Sequence, residues 1–152
     1  MNVIGFDPSL LQTGYAIVNV EKQKVIAAGV IKTESSMDIN ERIFEIFSNS
    51  KDILNKYEIE HSAFEESFYH KNVRTSNLLS QVRTALIISC MERDITISVF
   101  SPNNIKKCIT GRGHASKEQV LYMVKQIFNL TENVPDDVSD ALAIAYTFIM
   151  RS

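Results

Sequence analysis

Asp7 and Glu65 are acidic side chains placed where strand-like segments end. Asp7 follows an apolar run at residues 3–6 and precedes Pro8, which breaks the strand pattern. Glu65 and Glu66 follow a second apolar run at residues 62–64, and only one of the two can point into a common site, because side chains alternate along a strand. Asp7 also has an ordinary interpretation as a turn or helix-capping residue before Pro8.

Three further acids, Asp136, Asp137 and Asp140, open the last predicted helix. Asp137 and Asp140 are three residues apart, and Asp136 and Asp140 are four apart, so either pair can share one helix face. Like charges on one face repel, by about a few tenths of a kcal/mol when exposed and by more when buried. The helix N-terminus explains Asp136 and Asp137 through a favourable interaction of about 0.3–1 kcal/mol, whereas Asp140 lies beyond the first turn in a small, apolar stretch.

Together these acids predict a site for a hard divalent cation. Mg²⁺ takes oxygen ligands, and two such ions about 4 Å apart can activate a water and stabilise a leaving oxygen in phosphoryl transfer. His61, His70 and His114 are scattered along the chain, and Cys90 and Cys108 lack ligand spacing, so zinc is not expected.

Five strand-like segments and several amphipathic helices provide the scaffold for these acids. Strand character at residues 3–7, 14–20 and 25–33, with short connections, predicts an antiparallel meander. Further strands are predicted at 62–65 and 95–100, with helices from residue 39, at 72–93, and from Pro102, Ser116 and residues 133–135 onward. This order predicts one α/β domain over residues 1–152, with a mixed five-stranded sheet of an antiparallel hairpin edge joined to parallel strands and flanked by helices.

The composition is that of an ordinary globular chain. Of its 152 residues, 45% are hydrophobic and 22% charged, which excludes disordered, collagen-like and coiled-coil proteins. No apolar run reaches the roughly 18 residues of a membrane span. The N-terminus lacks the basic region of a signal peptide, so no membrane partner is expected. The two cysteines form no disulfide framework, and a cytoplasmic location is predicted.

The net charge of -2 conceals an uneven distribution of charge along the chain. Residues 66–125 carry 9 basic and 4 acidic side chains, for a net charge of +5, whereas the segments before and after them carry -4 and -3. Chance clustering on solvated faces is the plain explanation. The functional one is a basic surface for phosphates beside an acidic metal site, as in enzymes that act on nucleic acids.

Four sequence blocks, in this order, resemble the RuvC family of Holliday-junction resolvases. They are IGFDPS at 4–9 with TGYA at 13–16, AFEESF at 63–68 with KN at 71–72, GRGHASKEQV at 111–120, and DVSDALAIA at 137–145. The first block alone is weak, because strand–Asp–Pro openings recur in other ribonuclease H-like proteins. All four together span nearly the whole chain.

The resemblance implies a ribonuclease H-like fold that acts as a homodimer on four-way junctions and other branched DNA. It implies hydrolysis by paired nicks that leave 5′-phosphate and 3′-hydroxyl ends, with two Mg²⁺ ions in each active site and Mn²⁺ able to substitute. The catalytic and metal-binding acids would be Asp7, Glu65, Asp137 and Asp140, with Glu65 preferred to Glu66 by its place in the motif. Asp136 remains an alternative to Asp137.

The resemblance also implies residues that handle DNA. Lys106 and Lys117 match basic positions near the scissile bond, with Lys117 counted among the catalytic residues. Phe68 matches an aromatic residue that stacks on an unpaired junction base, a contact that contributes about 1–3 kcal/mol. The expected DNA-binding set is completed by four residues of the basic segment: Lys71, Arg74, Lys107 and Arg112.

The chain departs from the family in ways that bear on substrate choice. Ser9 stands where the family usually has Gly. The surface around the aromatic residue Phe68 also differs from that of the family, through Glu66, His70, Arg74 and Arg83. A divergent, phage-encoded member with relaxed substrate choice, acting in the host cytoplasm, would fit these departures.

The helix at 72–93 is apolar over most of its circumference, which predicts burial on two sides. Either neighbouring helices cover the second side or it forms the homodimer interface. Three other functions remain open. They are a ribonuclease H acting on RNA–DNA hybrids, a non-catalytic junction-binding protein, and one lobe of an actin-like ATPase.

Overall fold

A computed structural model of the chain describes residues 1–66 and 72–152. The predicted order of strands and helices is confirmed, with boundaries shifted by a few residues. The elements are β1 Asn2–Asp7, β2 Gln12–Asn19, β3 Lys24–Lys32, α1 Ile39–Lys56, β4 His61–Glu65, α2 Val73–Met91, β5 Thr96–Phe100, α3 Pro102–Thr110, α4 Lys117–Ile127 and α5 Asp136–Arg151.

The sheet has the strand order β3-β2-β1-β4-β5, with β1 at its centre. β2 pairs antiparallel with both β1 and β3, whereas β4 pairs parallel with both β1 and β5. This confirms the predicted mixed sheet. β1 and β4 are parallel neighbours in which Phe6 pairs with Phe64. Their last residues, Asp7 and Glu65, therefore lie side by side at the same end of the sheet.

Helices cover both faces of the sheet, and the alternation of strand side chains divides the core into two layers. Ile4, Phe6 and Phe64 pack with residues of α1 and α2, such as Ile46 and Leu86. The other face of the strands packs against α5, with α3 and α4 outside it; its buried residues include Val3, Ala16, Val18, Ala63, Leu142, Ile144, Ile105 and Val124.

The helices begin at recognisable capping residues. The Asn72 side chain accepts hydrogen bonds from the first turn of α2, and Ser101 caps α3 just before Pro102. The predicted capping box of α4 is present, because Ser116 and Gln119 bond reciprocally. None of the described helices is both long and apolar enough to cross a bilayer.

α2 is covered on one side and open on the other. α1 packs along it, and Val82, Leu86 and Cys90 are buried. Ile88 is 48% exposed and Met91 is 63% exposed. Neighbouring elements therefore account for only part of the apolar surface of α2, and Cys90 belongs to the buried part.

α5 lies so close to the sheet that two strand positions admit only glycine. A Cβ on Gly5 would stand 2.2 Å from the carbonyl oxygen of Ala141, and one on Gly14 would stand 2.1 Å from that of Asp137. Both are contacts with helix backbone, which cannot give way as a flexible side chain can. These two glycines therefore set the distance at which α5 holds its acids from the end of β1.

We expect Gly5→Ala to lower the free energy of unfolding by about 1–3 kcal/mol, because the added methyl group forces α5 away from β1. Gly113→Ala is a matched control, since the nearest atom to its added Cβ is a carbonyl oxygen at 3.9 Å. Urea denaturation monitored by circular dichroism measures both variants. Equal midpoints for Gly5→Ala and Gly113→Ala would show that the close approach of α5 imposes no constraint.

Candidate active site

Three separate elements bring four acids to one end of the sheet. Asp7 is the last residue of β1 and Glu65 the last of β4, while Asp137 and Asp140 lie in the first two turns of α5. α5 places these two acids beside the sheet because Gly14, the partner of Asp7 in the β1–β2 ladder, touches the Asp137 backbone. Strand pairing and helix packing thus assemble the cluster from distant segments of the chain.

The cluster carries uncompensated negative charge. Burial, followed in order of size by the neighbouring charges of Asp140, Asp137 and Glu65, raises the pKa of Asp7 to about 8. Burial also raises the pKa values of Asp140 and Glu65; Lys117 partly offsets the shift at Asp140, and Lys106 the shift at Glu65. A proton on Asp7 relieves part of this repulsion, and a bound cation would relieve more.

Two lysines border the acids. Lys117 begins α4, and its Nζ lies 3.7 Å from an Asp136 oxygen and 3.8 Å from an Asp140 oxygen. Because the Lys117 side chain is 64% exposed, these ion pairs contribute little stability and are easily exchanged for another anion. Lys106, in α3, lies near Glu65 and lowers its pKa.

A surface cavity of about 280 Å³ opens between the lysines and the acids. Glu65, Asp140, Lys106 and Lys117 supply its charged wall. Its apolar floor comes from α3, α4 and α5, through Pro102, Ile105, Val120, Ala143 and Ile144. A cleft lined by both acids and lysines suits a phosphate ester, whose charged oxygens the lysines can hold while its reacting bond faces the acids.

The alternatives left open by the sequence differ in their surroundings. Asp137 lies close enough to Asp7 to raise the pKa of that carboxyl, whereas Asp136 is exposed and pairs with Lys117. Glu65 lines the cleft, whereas Glu66 is exposed just beyond the end of β4. Only the tertiary structure distinguishes Asp137 from Asp136, and Glu65 from Glu66, as candidate ligands.

None of the other described residues that are expected to bind DNA lines the cleft. Lys107 is exposed on α3, and Arg74 is exposed in the first turn of α2. Arg112 lies outside the cleft and lines a separate cavity that it shares with Tyr122. Phe68 and Lys71 lie outside the described residues.

One contributor to the site was not identified in the sequence. The sequence places Gly14 in a strand and in the TGYA block but indicates no role for it in the site, although a glycine inside a strand often marks a close approach of another backbone. Its closeness to Asp137 is what gives it a place in the site.

The donor set fits a hard divalent cation by its chemistry. All four acids offer oxygen ligands, which Mg²⁺ prefers. The raised pKa of Asp7 indicates a negative electrostatic potential at the cluster, which a bound cation would reduce. Within the described residues, no three His, Cys, Asp or Glu side chains are already arranged to hold an ion. Side-chain adjustment would therefore have to accompany binding.

We expect the stability of the metal-free protein to fall as pH rises from about 4 to about 8. The ordinary pKa of an Asp is 3.8 and that of folded Asp7 is about 8, so between these values the folded state binds the proton more tightly than the unfolded state. Asp7→Asn cannot ionise, and at pH 8 it should be more stable than the unsubstituted protein. The gain should be on the order of a few kcal/mol, since solvent screening reduces the full linkage value of about 1.4 kcal/mol per pKa unit.

Urea midpoints at pH 5 and pH 8 in the presence of a chelator measure this effect. Asp52→Asn, which removes an exposed acid on α1, is the matched control and should leave the pH dependence unchanged. A variant at Asp7 that is no more stable than the unsubstituted protein at pH 8 would contradict the electrostatic account of the cluster.

Comparison with known proteins identifies the family. The family model described as crossover junction endodeoxyribonuclease RuvC matches residues 3–148. A relative of that name from Ehrlichia canis (strain Jake) is 42% identical over 146 residues, which cover 95% of this chain and 94% of the relative. The RuvC structure of Thermus thermophilus is 30% identical with a TM-score of 0.89, and the match covers 99% of this chain and 96% of that chain. The structure of T. thermophilus RuvC in complex with a Holliday junction substrate is 28% identical with a TM-score of 0.88, and the match covers 99% of this chain and 95% of that chain. The resemblance inferred from the four sequence blocks is thereby confirmed, and the chain belongs to the RuvC family of crossover junction endodeoxyribonucleases.

Proposed function

We propose that this protein resolves Holliday junctions, and other branched DNA, by divalent-cation-dependent paired nicks that leave 5′-phosphate and 3′-hydroxyl ends. The observation that carries the proposal is the convergence of four carboxylates from β1, β4 and α5 beside two lysines. The T. thermophilus relative was solved with a Holliday junction substrate, which supports branched DNA as the substrate here.

Asp7, Glu65, Asp137 and Asp140 are the proposed ligands of two Mg²⁺ ions, which Mn²⁺ can replace. When bound, such a pair of cations activates a water and stabilises the leaving oxygen of a phosphodiester. Asp7 is the central ligand because it interacts with the other three acids. Asp137 is preferred to Asp136, since its charge raises the pKa of Asp7, whereas the side chain of Asp136 is exposed and pairs with Lys117.

The lysines hold the substrate phosphates on either side of the reacting bond. Lys117 can exchange its weak pairs with Asp136 and Asp140 for a DNA phosphate, which leaves Asp140 free to serve as a ligand. Contacts to phosphates position DNA without reading its sequence, so selection should depend on the shape of the junction and binding should weaken with salt. Arg74, Lys107, Arg112, Phe68 and Lys71 are the further residues proposed to contact DNA.

A homodimer accounts for paired nicks, since a two-fold axis places two equivalent sites on a symmetric junction. The proposed interface is the exposed apolar side of α2. Val73, Ile88 and Met91 are exposed there at the surface of this chain, and their burial against the same residues of a second copy is favourable.

We expect Asp7→Asn and Asp140→Asn each to lower the rate of junction nicking by about a hundredfold or more, because a cation ligand supplies several kcal/mol of transition-state stabilisation. The assay measures single-turnover cleavage of a synthetic four-way junction with Mg²⁺, beside linear duplex, flap and RNA–DNA hybrid. Both variants should bind the junction within a few-fold of the unsubstituted protein, and Asp52→Asn should cut normally.

Cutting by Asp7→Asn at the unsubstituted rate would refute the assignment of the acids. Preferential cutting of the hybrid would identify a ribonuclease H instead. Junction binding without any cutting by the unsubstituted protein would identify a non-catalytic binding protein.

We expect the double substitution Ile88→Lys and Met91→Lys to convert a dimer into a monomer, because two charges would be buried at the interface without partners. Sedimentation equilibrium measures the mass, and Tyr122→Lys, at an exposed aromatic residue on α4, is the control. An unsubstituted protein that sediments as a monomer at micromolar concentration, or a doubly substituted one that stays dimeric, would contradict this interface.

A further inference from the structure

The loop at residues 8–11, which joins Asp7 to β2, has its backbone held by two buried threonines. The Thr13 hydroxyl accepts a hydrogen bond from the Ser9 amide at 3.1 Å and donates one to the Ser9 carbonyl at 2.5 Å. Thr33, just after β3, donates from its amide to the Leu11 carbonyl at 3.1 Å and from its hydroxyl to the Leu10 carbonyl at 2.5 Å. The loop that follows the central acid is thus fixed at three consecutive residues.

Arg42 extends this network into α1. Its Nε donates to the Thr33 hydroxyl at 2.9 Å, so that hydroxyl accepts from the guanidinium while it donates to Leu10. Arg42 is 8% exposed and Thr33 6% exposed. A guanidinium that polarises a hydroxyl strengthens the bond that the hydroxyl donates.

The burial of Arg42 is not explained by packing or by ion pairing. It stands on the core-facing side of α1 with Ile46 and Leu54, where an aliphatic side chain would serve better. None of the ion pairs among the described residues includes Arg42. A guanidinium Nε that is enclosed in this way needs a hydrogen-bond partner, and the Thr33 hydroxyl supplies it.

We propose that Arg42 and Thr33 are positioning residues for Asp7: they clamp Leu10 and Leu11 in the loop at residues 8–11 and so fix the direction in which the Asp7 carboxylate leaves β1. Through this pair, α1 and β3, which carry none of the four acids, help to shape the site. The inference rests on the proposed function, because the geometry of Asp7 matters to the extent that it holds the cation.

The test compares substitutions that remove both hydrogen bonds of the Thr33 hydroxyl or only the one that it accepts from Arg42. Thr33→Val keeps the shape and removes the hydroxyl, Thr33→Ser restores it, and Arg42→Met removes the donor. Thr147→Val is the matched control, because that fully buried hydroxyl donates to the Ala143 carbonyl at 2.8 Å in the C-terminal half of α5. Three quantities are measured: hydrogen exchange of the peptide covering residues 8–12, the affinity for Mn²⁺ by paramagnetic resonance, and single-turnover nicking.

For Thr33→Val and Arg42→Met we expect about tenfold faster exchange in the loop, several-fold weaker Mn²⁺ binding, and about tenfold slower nicking, with junction affinity unchanged. The double variant should be no worse than either single one, since both break the same unit. Thr33→Ser should recover most of each loss. Thr147→Val should lower the melting temperature comparably without changing the three quantities.

Unchanged loop exchange or unchanged Mn²⁺ affinity in Thr33→Val would overturn the positioning role, as would equal effects of Thr33→Val and Thr147→Val. If the unsubstituted protein nicks no branched DNA, the proposed function fails. Exchange and Mn²⁺ affinity then still decide for or against the clamp, because neither requires cleavage.

Discussion

Asp7 lies among three other carboxylates in a largely buried position, and the free energy of that arrangement has to come from the rest of the fold. Burial and like charges both raise its pKa, to about 8, which measures how strongly the folded protein resists a full set of ionised acids there. The opposing stabilisation comes from apolar packing on both faces of the sheet, where the strand residues around Asp7 are fully buried. At Gly5 and Gly14, α5 and the strands meet backbone to backbone. Any loosening of that contact would let the acids separate.

The same repulsion explains how charge is distributed over the molecule. Lys106 and Lys117 lie at the border of the cluster rather than inside it. They lower the pKa values of Glu65 and Asp140 but do not neutralise the negative charge of the acids. Lysines buried among the acids would replace a cation permanently and abolish the site for one. Partly exposed lysines can instead pair with acids in the free protein and with phosphates in a complex. The net charge of -2 is therefore a poor guide to partners, because acids that bind cations and bases that bind phosphates cancel in the sum.

The sequence predicts the elements well and the contacts between them less well. Strand alternation and the capping residues predict the order of elements, and acids at the ends of strands point to Asp7 and Glu65. Helix spacing leaves Asp136 and Asp137 equivalent; they are separated by the packing of α5 on β2 and by the position of Lys117 on α4, neither of which is a local property. The bond between Arg42 and Thr33 joins α1 to the end of β3, and no sequence pattern distinguishes Arg42 from an ordinary surface arginine of an amphipathic helix.

Stability and activity are coupled at this site through the cation itself. A ligand that binds only the folded state stabilises it by an amount that grows with the logarithm of its concentration relative to the dissociation constant. A divalent cation at the acids would replace the proton on Asp7, remove the repulsion that raises its pKa, and favour the side-chain arrangement that the proposed reaction needs. A cluster of neutral ligands would be more stable in the absence of metal but would gain less from binding it. The acids destabilise the metal-free protein, and the contacts of α5 with Gly5 and Gly14 hold them together against their repulsion. The packing of the fold therefore keeps the acids in place until a cation binds and removes that repulsion.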